Sequence, residues 1–104
     1  MSEPGKYTVV VQERAKDMLV AHVRFLSQVS ISAADRLVAD FSEKASSLEY
    51  NPKRCPWLND PMIPSYKYRK LLFGKRYLLV FQVFEDLVSI DAMVDCRQDY
   101  GWLL

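Results

Sequence analysis

Basic side chains gather in one part of this chain. Lys67, Arg69, Lys70, Lys75 and Arg76 crowd into a single stretch, and Arg97 follows later. They sit on a run that is otherwise hydrophobic, and cations on an apolar sheet are where an anionic partner would be held. The same charges also suit the solvation of strand ends, and Lys75 and Arg76 flank a turn, where charge is ordinary. Other reactive groups are few. The single histidine, His22, falls on a helical stripe and suits a core-edge position. Cys55 and Cys96 are expected to be inert thiols, with only Arg54 and Arg97 nearby in sequence to lower a pKa. Tyr66, Tyr68 and Tyr77 suit core or cross-strand packing better than base stacking.

Composition narrows the classes. A chain of 104 residues is expected to form one domain, 1–104. Half its residues are hydrophobic, which is enough for a packed core. The formal net charge of +1 gives no general argument for nucleic-acid binding, so placement of charge matters more than its sum. Basic residues gather in the second half, whereas Glu13, Asp17, Asp35, Asp40 and Glu43 lie in the first. With no secretory or membrane-spanning run, the expectation is a cytoplasmic protein with reduced thiols and no membrane partner. No CxxC or HxxxH spacing occurs, which argues against a metal site. No Walker loop, GxGxxG or GxSxG is present, and no cofactor is expected.

The elements that must position the basic cluster follow from local pattern. Residues 7–12, YTVVVQ, read as a first strand. Ala15, Met18, Leu19, His22, Leu26 and Val29 then recur at helical spacing, with Phe25 beside them, and predict a helix over 13–29. Ser32 with Asp35 three residues later resembles a capping box and predicts a second helix over 33–49, with Ala34, Leu37, Val38, Phe41, Ala45 and Leu48 on its apolar face. Four of the five prolines fall in 51–65, an ordered connection in which Trp57, Leu58, Met62 and Ile63 are the anchors.

The stretch 66–100 reads as three strands with short joints at Phe73-Gly74-Lys75 and Glu85-Asp86, an antiparallel meander. A further helical turn is expected over 97–104. The order β-α-α-β-β-β predicts an α+β fold of two layers, with two N-terminal helices on a small, mostly antiparallel sheet. By the period of two, Tyr77, Leu79, Phe81 and Val83 share one face of the middle meander strand, and Leu78, Val80, Gln82 and Phe84 the other. Such a strand is buried on both sides. With helices for one side only, the other is expected to be covered by a partner.

Nearly the whole chain resembles the RelE/ParE superfamily, the toxins of bacterial type II toxin–antitoxin systems, also labelled plasmid stabilisation proteins. The resemblance is carried by YTVVV, ERAKDML, AADRLVADF, Leu48, Pro52 and YRKLLFGKRYLLVFQVFEDLVSIDAMVDCRQDYGWLL. It implies a cognate antitoxin as partner and growth arrest as outcome. RelE-like members are mRNA interferases. They cut mRNA on the ribosome by attack of a ribose 2′-OH on the adjacent phosphate, which needs a base, an acid and cations for the phosphorane charge.

Matched residue by residue, the resemblance gives Lys67, Arg69, Arg97 and Tyr100 as the catalytic set. Lys70, Lys75 and Arg76 are then RNA-binding residues. Leu78 falls where those toxins carry an arginine, and Asp95 near where some place a histidine. ParE-like members instead poison DNA gyrase, an alternative favoured by Leu78 and by the Ala-Ala-rich second helix. A third alternative is a member that binds only its antitoxin.

Overall fold

A computed structural model describes residues 6–61 and 63–96. The element order is β1 (Thr8–Val11), α1 (Glu13–Ser27), α2 (Ile31–Ser47), a 3-10 turn (Pro52–Arg54), β2 (Arg69–Phe73), β3 (Tyr77–Phe84) and β4 (Leu87–Asp95). This is the α+β architecture expected from the sequence. The sheet order is β1-β4-β3-β2. The meander β2-β3-β4 is antiparallel, and β1 closes the far edge by running parallel to β4. The expected helical turn over 97–104 and the anchor Met62 lie outside the described residues. Among the described residues, no helix is long and apolar enough to cross a membrane.

Both joints of the meander depend on left-handed backbone. Gly74 and Lys75 have φ of +57° and +71°, and Glu85 has φ of +51°. At Gly74 a Cβ would meet the Tyr77 ring at 3.3 Å, so glycine suits the left-handed backbone there and spares the ring a small shift.

The helices differ from expectation at their ends. The cap of α2 is Ser30, not Ser32: Ser30 is extended, and its Oγ accepts the Ala33 N–H at 3.1 Å. Helix α2 therefore starts two residues earlier, and Asp35 falls beyond its first turn. The core stripe of α1 is Ala15, Leu19, Val23 and Leu26. Phe25, expected beside it, and Val29, expected on it, are 64% and 78% exposed: Phe25 points off the stripe next to Leu26, and Val29 follows the end of the helix at Ser27. On α2, Ala34, Leu37, Phe41 and Ala45 are buried as expected, but Val38 is exposed.

Strand β3 is buried on both faces. Tyr77, Leu79 and Phe81 join the helices in one cluster. Leu78 and Val80 join a second cluster with Leu58, Ile63, Tyr68, Ala92 and Val94. The proline-rich connection folds back and covers the middle of this second face, which was expected to be covered by a partner, while Leu72 and Phe84 at its two ends stay about half exposed. Its backbone also adds to the β2 edge, where the Leu58 N–H donates to the Tyr68 carbonyl at 2.7 Å and the Lys70 N–H to the Pro56 carbonyl at 3.0 Å.

The connection therefore acts as a wall of the domain rather than as a tether. Leu58→Ala is expected to destabilise the isolated chain by about 2–5 kcal/mol, as for a buried core leucine. Denaturant unfolding checks this. A change within error would mean that the second face is not sealed by its own chain.

Candidate functional site

The basic residues of β2 and β3 start from one stretch of sequence but do not converge. Arg69 pairs with Phe81, and Phe73, at the other end of β2, with Tyr77. Arg69 and Phe73 are four residue steps apart on β2, about 13 Å at the usual rise, and Arg76 lies beyond that end. The cluster is thus divided between the two ends of a hairpin.

At the β2 entrance, the Arg69 guanidinium is engaged by its own chain. Its Nη1 donates to the Cys55 carbonyl at 2.8 Å and to the Lys53 carbonyl at 3.2 Å. The plane lies over the Trp57 ring, 3.8 Å from its centroid. Arg69 therefore clamps the connection onto β2 by hydrogen bonding and stacking. Trp57 meets the Tyr66 ring edge-on at 5.6 Å, and Tyr66 is 74% exposed with φ of +60°. This corrects the packing role expected for Tyr66, whereas Tyr68 and Tyr77 are buried as expected. Lys67 is exposed, with its ammonium 5.2 Å from the Tyr68 ring. Lys70 lies on the second sheet face, at the edge of a groove of about 420 Å³ lined also by Pro56, Leu71, Leu72, Leu78 and Cys96.

At the hairpin end, Lys75 is exposed in the turn and Arg76 faces an anion. Arg76 Nε lies 3.6 Å from Asp95 Oδ2. Its Nη2 donates to the Tyr77 hydroxyl at 3.3 Å. Register pairs Tyr77 with Asp95, so both sit on the helix side of the sheet, and Arg76 turns toward that side. Leu78 is 6% exposed on the opposite face and packs in the second cluster. Arg76 therefore does not supply a cation on the Leu78 face. Arg97 and Tyr100 lie outside the described residues.

His22 projects from α1 to the same end and meets the Tyr77 ring edge-on at 5.4 Å. Burial pushes the imidazole pKa down from 6.5, Asp95 opposes the shift, and Arg76 reinforces it. Burial also raises the Cys55 thiol pKa, against Arg54 and Arg69, so Cys55 is a poor nucleophile. No group of three or more His, Cys, Asp or Glu arranged to hold a metal occurs among the described residues.

One polar constellation has no counterpart in the sequence reading. Val80 pairs with Ala92 but Phe81 with Ile90, so Asp91 is an extra residue at a bulge. Its carboxylate accepts from Gln82 Nε2 and Ser89 Oγ, each at 2.6 Å, and Gln12 Nε2 donates to Ser89 Oγ at 2.9 Å. A bulge has no residue signature here, and the only sequence signal was the polar pair Ser89 and Asp91 within an apolar strand.

Two stability measurements separate structural from reactive roles. Arg69→Ala is expected to cost about 1–3 kcal/mol, because the carbonyls it satisfies lose their charged donor. Arg69→Lys should recover only part of this, lacking the planar fork. For His22, the folded pKa lies below the unfolded one, so the unfolded state binds more protons near and below pH 6.5. Stability should fall as pH drops through that range, and His22→Gln should remove this component of the slope. Denaturation midpoints measured from pH 7.5 to 5 check the sign.

No family model matches the sequence, and no curated protein matches it. A chain of the solved structure described as "Chromosomal ParDE TA system from P. aeruginosa" is similar to it, with a TM-score of 0.70 over 88% of this chain and 97% of that one, at 15% identity. At that identity the likeness is one of fold, and this chain has the fold that its resemblance to the RelE/ParE superfamily implied.

Proposed function

We propose that this chain is a RelE/ParE-type toxin of a type II toxin–antitoxin pair, a single domain over 1–104. It acts in the cytoplasm by binding its target rather than by cutting RNA. The observation that carries the second half is the engagement of the arginines. Nη1 of Arg69 serves the Cys55 and Lys53 carbonyls and its plane is stacked on Trp57, Arg76 is paired with Asp95, and Leu78 is buried where RelE-like toxins carry an arginine. Transesterification needs cations preorganised around one phosphate, and loss of a single such donor typically costs about 10²–10³ in rate. The described part of the hairpin offers Lys67, Lys70 and Lys75 at separate places instead. DNA gyrase, the target of ParE-like toxins, fits this reading, and the neutralising partner is a cognate antitoxin.

A second reading keeps the ribosome and mRNA as target, with Lys67, Arg69, Arg97 and Tyr100 catalytic. One observation favours it: the exposed Tyr66 beside Trp57, next to Lys67, is the kind of aromatic and cationic surface on which single-stranded bases stack.

Induced expression with separate readouts distinguishes the two. The first reading expects growth arrest with relaxed plasmid supercoiling, and no new mRNA ends by primer extension on translating ribosomes. New mRNA ends that disappear in Lys67→Ala and Arg97→Ala would overturn it in favour of the endonuclease. Arrest that persists in Arg97→Ala with unchanged RNA supports the binding mode.

A further inference from the structure

We propose that the corner built by Trp57, Tyr66, Lys67 and Arg69 is a docking surface for an acidic, partly apolar segment of a protein partner. This rests on the reading above that the chain acts by binding a protein target, and it names the surface that meets it. The starting observation is Tyr66. A tyrosine at φ of +60° is strained, because its Cβ crowds the backbone in the left-handed region. Burial does not offset that strain, since Tyr66 is 74% exposed. Its ring meets Trp57 edge-on at 5.6 Å. The backbone thus holds a large ring out toward solvent, and strain of this sort collects where ligands are held.

The ring stands on a rigid base. Arg69 ties the Lys53 and Cys55 carbonyls to β2, and its guanidinium carbon lies 3.8 Å from the centroid of the Trp57 ring. The Trp57 backbone bridges to that of Arg69. Pro52 and Pro56 restrict the chain before Trp57. Little order remains to be lost on binding, which favours affinity. Tryptophan, tyrosine and arginine are also the side chains that dominate binding energy at protein interfaces.

Charge selects the partner. Residues 51–70 hold Lys53, Arg54, Lys67, Arg69 and Lys70 against one carboxylate, Asp60. Lys53 and Lys67 are exposed. The surface is therefore complementary to carboxylates. Single-stranded nucleic acid is anionic too, but it fits less well. Successive bases stack on successive open rings, whereas Trp57 is half-buried under Arg69 and Tyr66 alone stands out. Phosphate is best gripped by a guanidinium fork, and here Nη1 of that fork is spent on backbone carbonyls. A segment with carboxylates on either side of a leucine or proline meets both features. Its acids reach the lysines, and its apolar side chain lies on Tyr66.

The test uses the full chain and the fluorescence anisotropy of three labelled probes. These are a ten-residue peptide alternating glutamate with leucine and proline, the same peptide with lysine for glutamate, and a ten-nucleotide oligouridine. The glutamate peptide should bind at least tenfold more tightly than the other two, and added salt should weaken it. Tyr66→Gly should weaken it about tenfold to thirtyfold. The denaturation midpoint of that variant should hold or rise, because glycine relieves the left-handed strain. A tyrosine kept only for packing would give the opposite pair of results. Lys67→Glu should weaken the glutamate peptide and strengthen the lysine one. Oligouridine binding as tightly as the glutamate peptide, no binding of that peptide, or unchanged affinity in Tyr66→Gly would overturn the inference. New mRNA ends on induction would defeat the binding mode of action and leave these affinities as they stand, whereas a peptide that fails to bind would defeat the docking surface and leave the mRNA assay unchanged.

Discussion

Everything in this domain follows from the double burial of β3. Leu79, Val80 and Phe81 are fully buried, and Tyr77 and Leu78 nearly so. Each such side chain contributes about 1.5–3 kcal/mol when removed from water, but only if both faces are covered. The helices cover one face and reach the second cluster only through Met18. A chain of this length has no further helix to spend before the meander, so the connection between α2 and β2 must serve as the second cover. That requirement accounts for its composition. Prolines give it a fixed path without needing donors, while Leu58 and Ile63 supply the apolar surface. It also accounts for Arg69, whose fork holds the connection against β2 at the point where the connection turns from covering a face to sealing an edge.

The sequence was most informative where the hydrophobic period is long and uninterrupted. The residues of β3 and their division between two faces were legible, as were the β3–β4 joint at Glu85-Asp86 and the buried stripe of α2 from Ala34 to Ala45. Boundaries were less so. Ser30 and Ser32 are both competent caps, and the choice of Ser30 depends on its extended backbone, which the sequence does not display. Val29 fits the helical period but follows the end of α1 at Ser27, so an apolar period can run on past the point where the helix stops. The second cover was missed because an irregular segment has no period, and its contribution to the core is visible only once its path is known.

The basic cluster illustrates a harder limit. Closeness in sequence suggested one cationic surface, yet a hairpin sends consecutive segments to opposite ends. Charge also depends on partners distant in sequence. Arg76 meets Asp95 through strand register, and Arg69 meets the carbonyls of Lys53 and Cys55 through the fold of the connection. A guanidinium bonded to neutral carbonyls keeps its full charge and still contributes to the long-range field, while the nitrogen spent on those carbonyls, Nη1 in Arg69, is committed to the fold. Steering of an anionic partner and catalysis on one are therefore separable in this molecule.

The Arg76–Asp95 pair adds a further step to that separation. Asp95 is almost wholly buried, so its charge is held by Arg76 at one side and faces the His22 imidazole through the Tyr77 ring region. An anion so placed lowers the positive potential at the hairpin end while favouring protonation of His22, and burial of His22 works against that protonation. The outcome is a polar end in which a cation, an anion and a phenol are mutually satisfied. A phosphate that took the Nε of Arg76 would compete with the Asp95 carboxylate, whose side chain is only 8% exposed and depends on that neighbour for charge compensation. Among the described residues of the hairpin, Lys67 and Lys75 are the exposed cations, and as point charges they impose no geometry on what they hold.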